Sequence, residues 1–222
     1  MIIVLFLTSG LAKAQEEKGI QFEHGLTWTQ LKEKAKKENK YIFLDGFTTW
    51  CAPCKIMANN IFPQPAVADF FNHNFINIKV QFDVAKNDNE EVKSWYKEAK
   101  IIQYTYKVNG YPTYLFFNPQ GELVHTIIGS SPNAQDFIAK AKYALNPATQ
   151  YNNLKRQYEK GKKGPDFLLA LINAAQQAND SEFTPVVMNA YLTTQKDLLT
   201  AENLKFISIA TSKTTDPGYS IL

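Results

Sequence analysis

The run YIFLDGF, residues 41–47, is apolar at nearly every position and rich in aromatic rings. It has the length of a strand, and its apolar residues do not alternate with polar ones. A strand of that kind must be covered on both faces, at the centre of a sheet with helices on either side. The chain then runs through Thr48 and Thr49 into WCAPCK, residues 50–55, and on into CKIMANNIF, which reads as a helix. The two cysteines of the protein, Cys51 and Cys54, therefore sit where a buried strand turns into a helix.

Residues three apart on a helix share a face. Their Cα atoms then lie near the ~5.5–6 Å that a disulfide prefers. At a helix N-terminus the unpaired N–H groups and the macrodipole favour a thiolate, and such sites move a thiol pKa from about 8.5 into a range of roughly 3.5–7.5. Cys51 is accordingly expected as an exposed nucleophile and Cys54 as the resolving thiol. Pro53 has no N–H to lose, and its fixed φ suits a first helical turn. Lys55 adds positive charge. A structural zinc site normally takes four ligands, and His24, His73 and His125 have no ligand spacing to the pair. A c-type haem would need histidine after the second cysteine, where Lys55 stands. Redox chemistry is the leading reading of the pair. A metal site and two inert buried thiols are the alternatives, and the inert pair leaves Trp50 and Pro53 unexplained.

Around this segment, Thr27 and Gln30 form a capping box that opens a helix, with Leu31 and Ala35 on one face. FINIKVQFD (75–83) is a strand whose apolar residues alternate with polar ones, and NEEVKSWYKEAK (89–100) a helix. TYLFF (113–117) and ELVHTIIG (122–129) make a hairpin across NPQG, a type I turn sequence. SSPNAQDFIAKAKYAL follows as a helix, with Ser131 expected as its N-cap and Pro132 in its first turn. This order predicts an α/β fold, a mixed sheet flanked by helices. Past Asn146-Pro147 the chain carries only helical patterns, so the expected division is a sheet domain over 15–146 and an all-helical C-terminal segment over 147–222. The chain ends on DPGYSIL, apolar and without a stop signal, so the helical domain is expected to be incomplete there.

MIIVLFLTSGLAKAQ at the N-terminus reaches Ala12-Lys13-Ala14, a small-x-small cleavage pattern before Gln15. Its apolar run is too short for a bilayer, which needs about 20 residues. Residues 1–14 are therefore expected to be a signal peptide. No Lys or Arg precedes the run, so it reads as truncated upstream, and a buried first strand is the alternative. No cysteine near the site offers a lipid anchor. The mature chain would work outside the cytoplasm, periplasmic in a bacterium, where disulfides persist, with no stable insertion in the membrane. Net charge is +3. Glu33 and Glu38 interrupt the lysines of LKEKAKKENK, which is a solvated helix face rather than a nucleic-acid surface.

From about Thr27 to Leu145 the chain resembles the thioredoxin superfamily. WCAPCK is similar to that family's Trp-Cys-Gly-Pro-Cys-Lys motif, with Ala52 in place of Gly, and YKVNGYPT (106–113) is similar to its segment ending in Gly-x-Pro-Thr. The stretch CKIMANNIFPQPAVADFFNHNFINIKV resembles the extracytoplasmic branch that includes the C-terminal domain of transmembrane thiol-disulfide reductases. The resemblance implies a thioredoxin-like fold and a redox-active Cys51–Cys54 disulfide with no other cofactor and no metal. It implies a cis-proline at Pro112 facing the cysteines and a buried Asp45 that exchanges a proton with Cys54. Lys79 matches a position near that acid. Trp50 would shield the pair, and Tyr111 and Pro112 would present backbone to an extended substrate segment. Trp95 and Tyr104 lie in a longer connection that could shape partner choice. The implied activity is thiol-disulfide exchange, reducing disulfides in client proteins, with an upstream thiol protein as electron donor. A thioredoxin-fold scaffold whose helical segment grips a partner, or a disulfide oxidase or isomerase, is the competing reading.

Overall fold

The computed structural model describes residues 19–221. The expected signal peptide lies outside the described residues. A four-stranded sheet has the order β2-β1-β3-β4, with β1 at Tyr41–Phe47, β2 at Phe75–Gln81, β3 at Thr113–Phe117 and β4 at Leu123–Ile128. Strands β1 and β2 run parallel, and β1–β3 and β3–β4 antiparallel. The apolar run at 41–47 is thus a central strand, buried from Ile42 to Gly46.

Its alternating side chains feed two cores. On one face Phe43 packs with Met57, Phe62, Phe71, Tyr114, Phe116 and Phe137. On the other, Ile42 and Leu44 pack with Leu31 and Ala35 of α1 (Trp28–Glu38), Ala99 and Ile102 of α4 (Glu90–Thr105), and Leu115 and Phe117. The Thr27–Gln30 capping box that starts α1 is present.

After the cysteines the backbone departs from a plain helix. Helix α2 spans Ala52–Ile56 and passes directly into a π turn at Met57–Ile61, where Phe62 N–H donates to the Met57 carbonyl at 2.9 Å. Single π turns of this kind are frequent at functional sites. A further helix, α3 at Pro65–Asn74, is absent from the sequence reading. Pro65 resembles a breaker but occupies the first turn, where a missing N–H costs nothing. Helix α5, Ala134–Lys142, also corrects the reading: its N-cap is Asn133, whose side chain accepts the Asp136 N–H at 2.8 Å, and Ser131 is buried upstream. The Ser131 N–H instead donates to the Met57 sulfur at 3.3 Å, tying this loop to the π turn.

Beyond α5 come α6 (Tyr151–Glu159), α7 (Pro165–Gln177), α8 (Phe183–Leu192) and α9 (Ala201–Ala210). They share a third core around Leu168, Leu171, Ile172, Val187, Met188 and Ile207. Helix α6 also docks on the edge strand β4. Tyr151 N–H donates to His125 Nδ1 at 3.0 Å, Thr126 Oγ1 bonds Asn152 at 3.1 Å, and the Arg156 guanidinium reaches the Leu123 carbonyl at 3.1 Å. At the opposite edge Phe22 forms a bridge with Asn77 of β2.

Candidate active site

Strand β1 delivers the site. Its C-terminal end carries Asp45 and Gly46, the chain turns at Thr48–Trp50, and Cys51 caps α2. Cys51 and Cys54 form a disulfide with Cα atoms 5.3 Å apart. The Cys54 N–H donates to Cys51 Sγ at 3.1 Å, so one of the helix's otherwise unpaired donors points at that sulfur. Pro53 lies in the first turn and Lys55 in the last.

The expectation of an exposed Cys51 is corrected. The residue is only 3% accessible in this disulfide form, and Cys54 is buried too. The Cys51 N–H donates to the Thr48 carbonyl at 3.2 Å, which folds the residue back under the preceding turn. The residue that projects is Trp50, 68% accessible, its ring edge-on to Tyr111 at 5.8 Å between centroids.

Asp45 is buried, and no hydrogen bond to its carboxylate is present among the described residues. Burial drives its pKa up to about 7, against the pull of the Lys79 ammonium. Lys79 is the parallel partner of Asp45 on β2. Lys79 is the exposed residue of β2, and its ammonium rests over the Phe47 ring, 4.8 Å from the centroid.

The Tyr111–Pro112 peptide bond is cis. The Pro112 carbonyl accepts the Gly129 N–H at 2.9 Å and the residue is buried, so it has no backbone group to offer. Of the expected docking pair, only Tyr111 can present backbone. Its hydroxyl accepts from Gln103 Nε2 at 2.6 Å, and its ring packs 6.0 Å from Phe82. In the longer connection Trp95 packs against the core and Tyr104 stands 88% accessible.

Two supports escaped sequence reasoning. Asp83, just past β2, accepts the Thr49 N–H at 2.9 Å and also the Thr49 hydroxyl, pinning the turn that leads to Cys51. Tyr114, directly across from Asp45 on β3, is fully buried with its hydroxyl unpartnered. Both depend on cross-strand register, which a linear pattern does not carry; the position of Asp83 at the end of an alternating strand was the one available hint. Among the described residues no three His, Cys, Asp or Glu side chains group closely enough to hold a metal ion. None of the described helices is long and apolar enough to cross a membrane.

A sheet of this order, with a paired dithiol at the end of its central strand, defines the thioredoxin-like class of thiol-disulfide oxidoreductases. Within that class the chain belongs to the family described as "Thioredox_DsbH: Protein of unknown function, DUF255", which matches residues 20–160. It is similar to Thioredoxin-2 of Pyricularia oryzae, 33% identical over 54% of this chain and 59% of that protein. It is also similar to the thiol:disulfide interchange protein DsbD of Pasteurella multocida, 30% identical over 46% of this chain and 16% of that protein. Among solved structures, a DsbH oxidoreductase aligns with a TM-score of 0.49 at 22% identity, over 65% of this chain and 94% of that one. The chain thus spans 59% of the length of the first sequence relative and 16% of the second.

Proposed function

We propose that this protein reduces disulfides in client proteins by dithiol–disulfide exchange at Cys51 and Cys54. The observation that carries the reading is the Cys51–Cys54 disulfide at the start of α2, at the end of a central strand that buries Asp45. In the reduced form the Cys51 thiolate attacks a client disulfide. A mixed disulfide forms and the first client sulfur leaves as a thiolate. Cys54 gives its proton to the Asp45 carboxylate and attacks the Cys51 sulfur. The second client sulfur leaves, two electrons have passed to the client, and the Cys51–Cys54 disulfide remains. An upstream thiol protein restores the dithiol.

A carboxyl held at about 7 can take and return that proton near neutrality. Trp50 and Tyr111 form the client-facing surface: the indole supplies apolar contact, and the Tyr111 backbone pairs with an extended segment. Pro112 shapes the loop between them. The protein acts outside the cytoplasm after loss of residues 1–14, a reading supported by the small-x-small sequence and by the likeness to thiol:disulfide interchange proteins. Residues 15–146 carry the chemistry, and 147–222 dock the client or the electron donor.

Insulin reduction with dithiothreitol as donor tests the reading. Wild type accelerates precipitation of the insulin B chain, Cys51→Ser abolishes this, and Cys54→Ser accumulates mixed disulfides. Equal inactivity of all three proteins refutes it. Direction is read from the equilibrium with a glutathione series, where a tenfold change in the exchange constant is about 30 mV.

A further inference from the structure

Asp45 and Tyr114 are paired residues on antiparallel neighbours, so their side chains stand on one face of the sheet. The Tyr114 ring is clamped by Phe43, Phe62 and Phe137, at 5.7, 6.3 and 5.0 Å between centroids. None of these rings offers its hydroxyl a partner. A fully buried hydroxyl left without a hydrogen bond is uncommon and costly, and it calls for a reason. The opposite residue holds a buried carboxylate, and the charge of that carboxylate acts on the Tyr114 phenol.

We propose that Tyr114 is a positioning residue whose hydroxyl donates a hydrogen bond, direct or across one water, to the Asp45 carboxylate when Asp45 is ionised. The role rests on Asp45 being the proton acceptor of the reaction proposed above. A donor aimed at the charged form favours ionisation and offsets part of the desolvation that burial imposes. Burial, with the Asp45 charge beside it, keeps the phenol protonated far above neutrality, so it remains a donor. Thr48 and Ser131 also bury unpartnered hydroxyls, but neither is the cross-strand partner of Asp45. Lys79, exposed on β2, acts on Asp45 by its charge. Lys55 of α2, with Asp69 and His73 of α3, is exposed, and Asp136 and Lys140 of α5 pair with each other at 2.8 Å. The π turn presents Met57 to the core, and His125 of β4 is held neutral by burial. Tyr114 is the neutral donor directly across from Asp45.

The test follows the Asp45 carboxyl by NMR in the oxidised protein, with carbon-13 in the aspartate carboxyls, and needs no turnover. Tyr114→Phe is expected to raise the Asp45 midpoint by about one pH unit or more, the size of a hydrogen bond to a charged group. The pH profile of insulin reduction moves the same way, and in an Asp45→Asn background Tyr114→Phe no longer moves it. Fluorotyrosine in place of Tyr114, a stronger donor, lowers the midpoint and gives the readout if Tyr114→Phe does not fold. A midpoint that stays within about 0.2 unit in either variant overturns the proposal, as does an equal profile shift in the Asp45→Asn background. Loss of insulin reduction with the titration shift intact would count against the reductase reading and leave the Asp45–Tyr114 contact standing.

Discussion

Asp45 occupies a place where an apolar side chain would fold more easily. Its pKa is raised to about 7 in the folded protein against 3.8 as the ordinary value. The folded form therefore holds an extra proton between those limits. Its contribution to stability is fully present below pH 3.8 and is lost as pH rises through 7. Asp45→Asn should therefore fold more stably than wild type at pH 8, by on the order of 4 kcal/mol at most, and about equally at pH 4. Urea unfolding at the two pH values measures this, and the same variant should slow client reduction. Trp50 presents the opposite case. Its indole is exposed and, among the described residues, its one aromatic neighbour is Tyr111. Trp50→Ala should cost about 1 kcal/mol or less in stability, while raising the KM for a protein disulfide several-fold in the insulin assay. Both residues stand out in the linear sequence, an acid within an apolar run and an aromatic beside a cysteine. What could not be read there was exposure. Cys51 is buried, its N–H held to the Thr48 carbonyl, and the turn between them is pinned by Asp83, distant in sequence.

At the scale of elements, β4 and α6 are joined through a histidine. His125 is wholly buried, and burial lowers its pKa from 6.5 to about 3. Nδ1 accepts the first N–H of α6, so the ring is neutral with its proton on Nε2. The unfolded chain binds a proton here between pH 6.5 and 3 and the folded chain does not. The stabilising contribution is full above 6.5 and is lost as pH falls toward 3, on the order of 4 kcal/mol in all. His125→Asn keeps an acceptor for Tyr151 and removes the titration, so this loss toward acid should be absent from its stability below pH 6. Chemical denaturation across that range checks it. Element types were largely legible because strand and helix periods differ: the capping box, the central strand and the hairpin follow from local pattern. Helix α3 starts at Pro65, a residue that resembles a break, and the i+5 hydrogen bond of the π turn has no sequence period of its own.

For the whole molecule the two buried titrations oppose each other. Asp45 gains the folded state stability as acid is added from pH 7 to 3.8, and His125 removes it from 6.5 to 3. Between about pH 4 and 6.5 the slopes should nearly cancel, leaving wild-type stability flat from these two groups. Asp45→Asn should restore a fall toward acid, and His125→Asn should turn it into a rise. Matched denaturation curves of the three proteins decide it. The α/β plan and the helical tail were legible from composition along the chain; their joining was not, because α6 belongs by packing to the helical core and by hydrogen bonds to the sheet. A chain ended at residue 146 would strip that helix from β4, whereas one ended at 160 would keep it. The first should elute as oligomers in size-exclusion chromatography and the second as the smaller species. A bare strand edge is a template: a second copy can zip onto it at a spacing of about 4.8 Å, and a third onto the second, as in a fibril. In this protein the Arg156 guanidinium already occupies the Leu123 carbonyl on that edge. The helix that follows the redox sheet thus occupies part of the edge from which sheet growth would start.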